Sequence, residues 1–175
     1  YNGENVALGA CDTDLDPFNG CFSTSSFTTV SAQAGLSLSN VTSTSADLLY
    51  GSNIAISGFQ LNVSGVTLES ASSALDGTSF SAETGNVVGF DFSGASLAPG
   101  GGLLVHLEFE ETAGGGILSV SDVVLSDGEG GAIASSGPAD ASVPGCDDAD
   151  CFGDCGGSAV VDNCGTCDDD PSNDC

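Results

Sequence analysis

The stretch Leu103-Leu104-Val105-His106-Leu107-Glu108-Phe109-Glu110 decides the fold. Leu103, Val105, Leu107 and Phe109 fall on one side of a period-two alternation, and Leu104, His106, Glu108 and Glu110 fall on the other. Successive side chains of an extended chain point to opposite faces, so this is a strand with one buried and one solvated face. Upstream, residues 86–92 place Val88, Phe90 and Phe92 on one face, with Gly89 and Asp91 opposite. In 54–64 the phase slips: Ile54 and Ile56 are even, whereas Phe59, Leu61 and Val63 are odd. The slip falls at Ser57-Gly58 and predicts a β-bulge there. Further strands are expected at 27–31, 34–41, 46–50, 66–70, 78–82 and 117–125. Turns punctuate them at Asp76-Gly77, Gly85-Asn86, Pro99 to Gly102, Gly114 to Gly116 and Asp127-Gly128. No segment sustains a helical apolar period. Eight or nine short strands over roughly 115 residues predict an all-β chain, a two-sheet antiparallel β-sandwich with a core of Leu, Val, Ile and Phe.

Composition divides the chain into three regions. Residues 1–22 are a Cys-bounded acidic lead-in, 23–137 the sandwich, and 138–175 a Cys/Asp-rich tail entered through Gly137-Pro138 and Val143-Pro144-Gly145. The tail has almost no large apolar side chains, so cross-links or metal must stabilise it. Eight cysteines form two groups: Cys11 and Cys21 near the start, then Cys146, Cys151, Cys155, Cys164, Cys167 and Cys175. An even, dense set of this kind belongs to an oxidising compartment and is read as disulfides, with connectivity open. Zinc is the rival for Cys164-Gly165-Thr166-Cys167 on spacing alone.

The charge is one-sided, with no Lys or Arg against 25 acidic residues and a formal charge of −25. Binding nucleic acid or anionic membrane requires cations to meet phosphates, so both are excluded as partners. Phosphoryl transfer loses its Arg and Lys clamps for the same reason. Cations are the natural partners, and a halophilic acidic surface is an equal reading of the same numbers. No apolar run approaches the ~20 residues of a membrane span. The chain begins at Tyr1 and contains no Met, which is read as a mature, exported form.

The runs Leu48 to Val63 and Val88-Gly89-Phe90-Asp91-Phe92-Ser93-Gly94 carry a family resemblance, as do Leu97 to Leu104 and Val123-Val124-Leu125-Ser126-Asp127-Gly128-Glu129-Gly130. Together they resemble cohesin-like (Ig-like) β-sandwich modules over roughly residues 46–135. The resemblance implies a place in large secreted scaffolds and surface proteins of microbes. The tail from Asp150 to Asp170 is loosely similar to thrombospondin type 3 repeats, but lacks their regular Asp-x-Asp-x-Asp-Gly ladder.

Calcium is the expected cofactor. Asp12, Asp14 and Asp16, followed by Asn19 and flanked by Cys11 and Cys21, place carboxylates at alternate positions where oxygen ligands can wrap a hard cation. The alternative for this loop is a solvated acidic turn. Asp162, Asn163, Asp168, Asp169 and Asp170 offer a second, sparser set. Asn40-Val41-Thr42 and Asn62-Val63-Ser64 are glycosylation sequons, and Asn62 is expected on the outward face of its strand. Catalysis is not expected: the single His106 lies on a polar strand face, there is no Gly-x-Ser-x-Gly elbow, and Trp is absent. The preferred function is a structural subunit of an extracellular fibre, sheath or surface layer. It would assemble with copies of itself end to end, for example by strand addition from Phe27 to Val30 at an open sheet edge. The alternative is an extracellular module binding a glycan or a protein, as cohesin-like domains do.

Overall fold

The structure is a computed structural model and describes residues 33–172, all of it strand, turn or loop. One layer is built from β1 (Gln33–Ser39), β2 (Ser45–Ser52), β4 (Leu68–Ser72) and β7 (Gly100–Phe109), hydrogen-bonded in the order β4-β7-β2-β1. The other comprises β3 (Gly58–Ser64), β5 (Ser79–Phe80), β6 (Asn86–Phe90) and β8 (Gly116–Ser126), in the order β8-β3-β6-β5. The strand β9 (Ala132–Ser136) joins the layers. Its first residues pair antiparallel with β8, Leu125 opposite Ile133, and its last pair parallel with β1, Gln33 opposite Ala134. The sequence gives little warning of β9, where only Ile133 is a large apolar residue and only Ile133 is buried.

The core lies between the layers. Leu48, Leu104, Val105, Leu107 and Phe109 from one meet Leu61, Val87, Leu118 and Leu125 from the other, all at 1 % exposure or less. Burying each such aliphatic or aromatic side chain contributes about 1.5–3 kcal/mol. Tyr50 reaches the core edge and donates its hydroxyl to the Ala98 carbonyl at 2.9 Å.

Two expectations of phase need correction. Leu103 is 42 % exposed and Leu104 fully buried, the reverse of strict alternation. Opposite them Leu48 pairs with Val105 but Leu49 pairs with Leu103, so Leu104 is an extra residue and the face inverts beyond it. The slip at Ser57-Gly58 is no bulge within one strand. The chain leaves β2 at Ser52, bridges Leu97 through Ile56, and enters the other layer at Gly58. Val88 and Phe90 share the outer face of β6, with Val87 and Gly89 inside, while Phe92 lies past the strand's end in the Asp91 turn with its ring against Phe90. Phe59 fills the space above Gly89, and a Cβ there would collide with its ring.

At the edge of β8, β10 (Ala141–Val143) pairs with its first residues and brings Val143 into the core. The segment after it is irregular apart from the two-stranded ladder of β11 (Val160–Val161) and β12 (Cys167–Asp168). Disulfides Cys146–Cys155 and Cys151–Cys167 cross it, and Cys164 is disulfide-bonded as well. The Cys164/Cys167 pair is thus committed to sulfur bridges, which removes the zinc reading.

Among the described residues one turn recurs four times. At Asp91, Asp127, Asp150 and Asp162 the carbonyl accepts the amide three residues on, and that residue is a glycine with φ between 80° and 89°. Only glycine adopts this left-handed backbone readily. Each Asp carboxylate then accepts amides further round the turn: Ser93 and Ala95 for Asp91, Glu129 and Gly131 for Asp127, Phe152 and Asp154 for Asp150, Thr166 for Asp162. Backbone hydrogens serve here as the counter-groups that Lys and Arg would supply elsewhere.

Candidate functional site

The outer face of β8-β3-β6-β5 carries the most distinctive surface chemistry. Its rows follow from the strand register. Gly58 lies between Phe90 and Ser126; Gln60 lies between Val88 and Val124; Asn62 lies between Asn86 and Ser121. The face therefore grades from aromatic and aliphatic at one end to amide and hydroxyl at the other. Phe92 continues the apolar end and is 84 % exposed, while Val124 is 53 % exposed. The Phe90 and Phe92 rings meet edge to face, centroids 4.8 Å apart, a preferred aromatic geometry. Because Gly58 has no side chain, a groove of about 240 Å³ opens above it, walled by Phe90, Val88, Gln60 and Val124. An apolar step and groove on an exposed sheet are the features of a recognition surface. The periodicity of 86–92 held the signal for this patch, but its sidedness depends on Phe59 packing over Gly89, which is a tertiary contact.

The outer face of the other layer is polar. His106 and Asp47 lie opposite each other on β7 and β2, with Nδ1 2.6 Å from Oδ1. Asn40 donates its amide to the other Asp47 oxygen at 2.7 Å. These two hydrogen bonds, Asn40 first, hold the Asp47 carboxyl below its ordinary value. Beside the pair, Thr44, Ser45, Glu69 and Glu108 border a hollow of about 300 Å³.

The sequon residues are both engaged. Asn40 sits in the turn after β1 with φ 49°, its amide on Asp47. Asn62 is half-buried on the outer face of β3 and donates to the Thr84 carbonyl at 2.7 Å and to Asn86 Oδ1 at 3.2 Å.

The tail carboxylates expected to hold calcium, Asp168 at the end of β12 and Asp162 and Asp170 outside the strands, accept hydrogen bonds from nearby residues. Asp162 accepts the Thr166 amide, Asp168 the Asp170 amide, and Asp170 both the amide and the hydroxyl of Ser172. The Ser172 hydroxyl, ahead of its amide, lowers the Asp170 carboxyl. Among the described residues no three His, Cys, Asp or Glu side chains gather around one point where a metal ion would fit. Asp12, Asp14, Asp16, Asn19, Cys11, Cys21 and Cys175, and the segment Phe27 to Val30, lie outside the described residues. No helix among the described residues is long and apolar enough to cross a membrane.

No family model matches the sequence, and no curated protein does. Solved structures do match. The CaCohA2 chain of a CaDoc0917–CaCohA2 complex at pH 5.5 aligns with a TM-score of 0.52 at 14 % identity, covering 64 % of this chain and 99 % of that one. The seventh ScaB type I cohesin of Pseudobacteroides cellulosolvens gives 0.48 at 12 % identity, over 65 % of this chain and 92 % of its own. The cohesin–dockerin complex Coh-OlpC–Doc435 of Clostridium thermocellum gives 0.45 at 10 %, over 65 % and 92 %. Residues 33–172 thus contain a cohesin-like β-sandwich module with a disulfide-bonded tail.

Proposed function

We propose that this chain is an extracellular, non-catalytic protein-binding module that docks its partner on the outer β8-β3-β6-β5 face. The observation that carries this reading is the Phe90–Phe92 step beside the Gly58 groove: large apolar side chains facing solvent on a regular sheet whose own core is complete. Solvent exposure of such groups is unfavourable unless a partner covers them, and aromatic anchors beside a pocket dominate protein interfaces. The fold supports the reading, since a protein that shares it was solved in complex with another chain. The disulfides support an extracellular setting.

Calorimetric titration with a panel of dockerin modules tests the proposal. Saturable one-to-one binding is expected, weakened about thirtyfold or more by the double variant Phe92→Asp, Val124→Asp. Both residues are exposed, so the fold is retained. Undiminished affinity in that variant would place the binding surface elsewhere.

A structural-subunit reading, with copies assembling end to end in a fibre, sheath or surface layer, draws support from the stapled tail and its exposed Phe152, Val160 and Val161. Against it stands the formal charge of −25 on every copy, which repels like copies unless cations such as calcium screen it. Sedimentation velocity with and without calcium separates the two readings, since assembly in either condition would favour the fibre.

A further inference from the structure

The docking face constrains the chemistry of what covers it. The apolar step is bordered by acids. Asp76 and Asp91 flank Phe90 and Phe92 and meet through an Asp76 amide to Asp91 carboxylate hydrogen bond of 3.5 Å. Asp127 and Glu129 form the turn directly after Ser126, and Asp122 occupies a bulge in β8 between the Ser121 and Val124 rows. Asp76, Asp122 and Glu129 are exposed. Nowhere does a Lys or Arg neutralise this rim, because the chain has none. The single imidazole, His106, lies on the opposite layer and is spoken for by Asp47.

Closing an apolar contact brings the partner's rim within a few ångströms of these carboxylates. Like charges there cost several kcal/mol, and neutral groups leave the acids partly desolvated and uncompensated. A second copy of this chain can offer neither Lys nor Arg. We infer that the partner is a protein surface with an apolar centre and a Lys- or Arg-rich rim, so that docking couples the Phe90/Phe92 step to ion pairing at its border. The inference rests on the docking reading above and deepens it. It carries a kinetic consequence: a cationic partner is steered onto an acidic face, and association slows as salt rises.

The test uses the full, disulfide-intact chain, isotopically labelled, with amide shifts followed during titration with three short peptides: alternating Lys and Leu, alternating Gln and Leu, and alternating Glu and Leu. The expected result is that the Lys/Leu peptide alone perturbs Gly58, Val88, Phe90, Phe92 and Val124. Its affinity should fall about tenfold or more between about 50 mM and about 500 mM sodium chloride. It should also fall about tenfold in Phe92→Ser, Val124→Ser, and to a similar extent in Asp76→Asn, Asp122→Asn, Glu129→Gln. If the Gln/Leu peptide binds the same face equally and without salt dependence, the cationic rim is refuted while the docking face survives. If the Lys/Leu peptide shifts spread evenly over the whole acidic surface and ignore the Phe92→Ser, Val124→Ser change, the inference falls. Undiminished dockerin affinity in Phe92→Ser, Val124→Ser removes the docking face itself.

Discussion

Asp91 carries a charge that this chain cannot neutralise with a basic side chain, and satisfies it with hydrogens from its own turn. The Ser93 hydroxyl, at 2.5 Å, and the amides of Ala95, Ser93 and Asp76 lower its carboxyl to about 2. An unfolded Asp titrates near 3.9, so folding favours the ionised form. The stabilisation from this group is therefore full above about pH 4 and disappears as pH falls through about 2. Asp91→Asn should lower the urea midpoint at neutral pH, and the gap from wild type should close as pH drops from 4 to 2. Denaturation curves across that range measure it directly. A constant gap would mean the turn depends on shape alone. The spelling Asp-x-x-Gly at 91, 127, 150 and 162 is plain in the sequence. Its meaning lies in the left-handed glycine and the capped amides, which spelling alone does not distinguish from solvated loop.

At the scale of the strand, alternation located most elements but fixed sidedness only where no residue was inserted. β3 reads correctly because Phe59, Leu61 and Val63 run unbroken into the core. β7 does not, because the extra Leu104 inverts the pattern midway. In β6 the larger residues face out, since Gly89 must be small to admit Phe59. Gly89→Ala should accordingly cost about 1–3 kcal/mol, read from thermal or urea unfolding, with the strand otherwise paired as before. Combining it with Phe59→Leu should recover part of the loss, because the two side chains compete for one volume. The polar end of the outer β8-β3-β6-β5 face was legible through Asn62, whose outward position follows from the same unbroken alternation. For the apolar end, alternation grouped Val88 with Phe90, but which side faced out depended on Phe59 packing over Gly89.

For the molecule as a whole, two opposed terms stand out: self-repulsion from −25 charges and the cross-links that resist it. Raising salt screens the repulsion, so the melting temperature should climb between about 10 mM and about 300 mM sodium chloride, by calorimetry. Most proteins respond weakly in that range, and a flat profile here would mean the charges are already compensated. The sandwich has its own core, whereas the tail buries little beyond Ala159. The Cys151–Cys167 bridge closes a loop spanning 16 positions and contributes about 3 kcal/mol by chain entropy. Mild reduction should thus collapse the amide dispersion of residues 146–172 and leave that of β1 to β9 intact.

The parallel pairing of β1 with β9 has a mechanical corollary. Tension entering β1 from its N-terminal side and leaving β9 on its C-terminal side pulls the two strands past one another along their shared axis. Their hydrogen bonds then bear the load together rather than parting one at a time. A module threaded in series under stretch would yield abruptly, at higher force than if those two strands ran antiparallel and peeled open from one end.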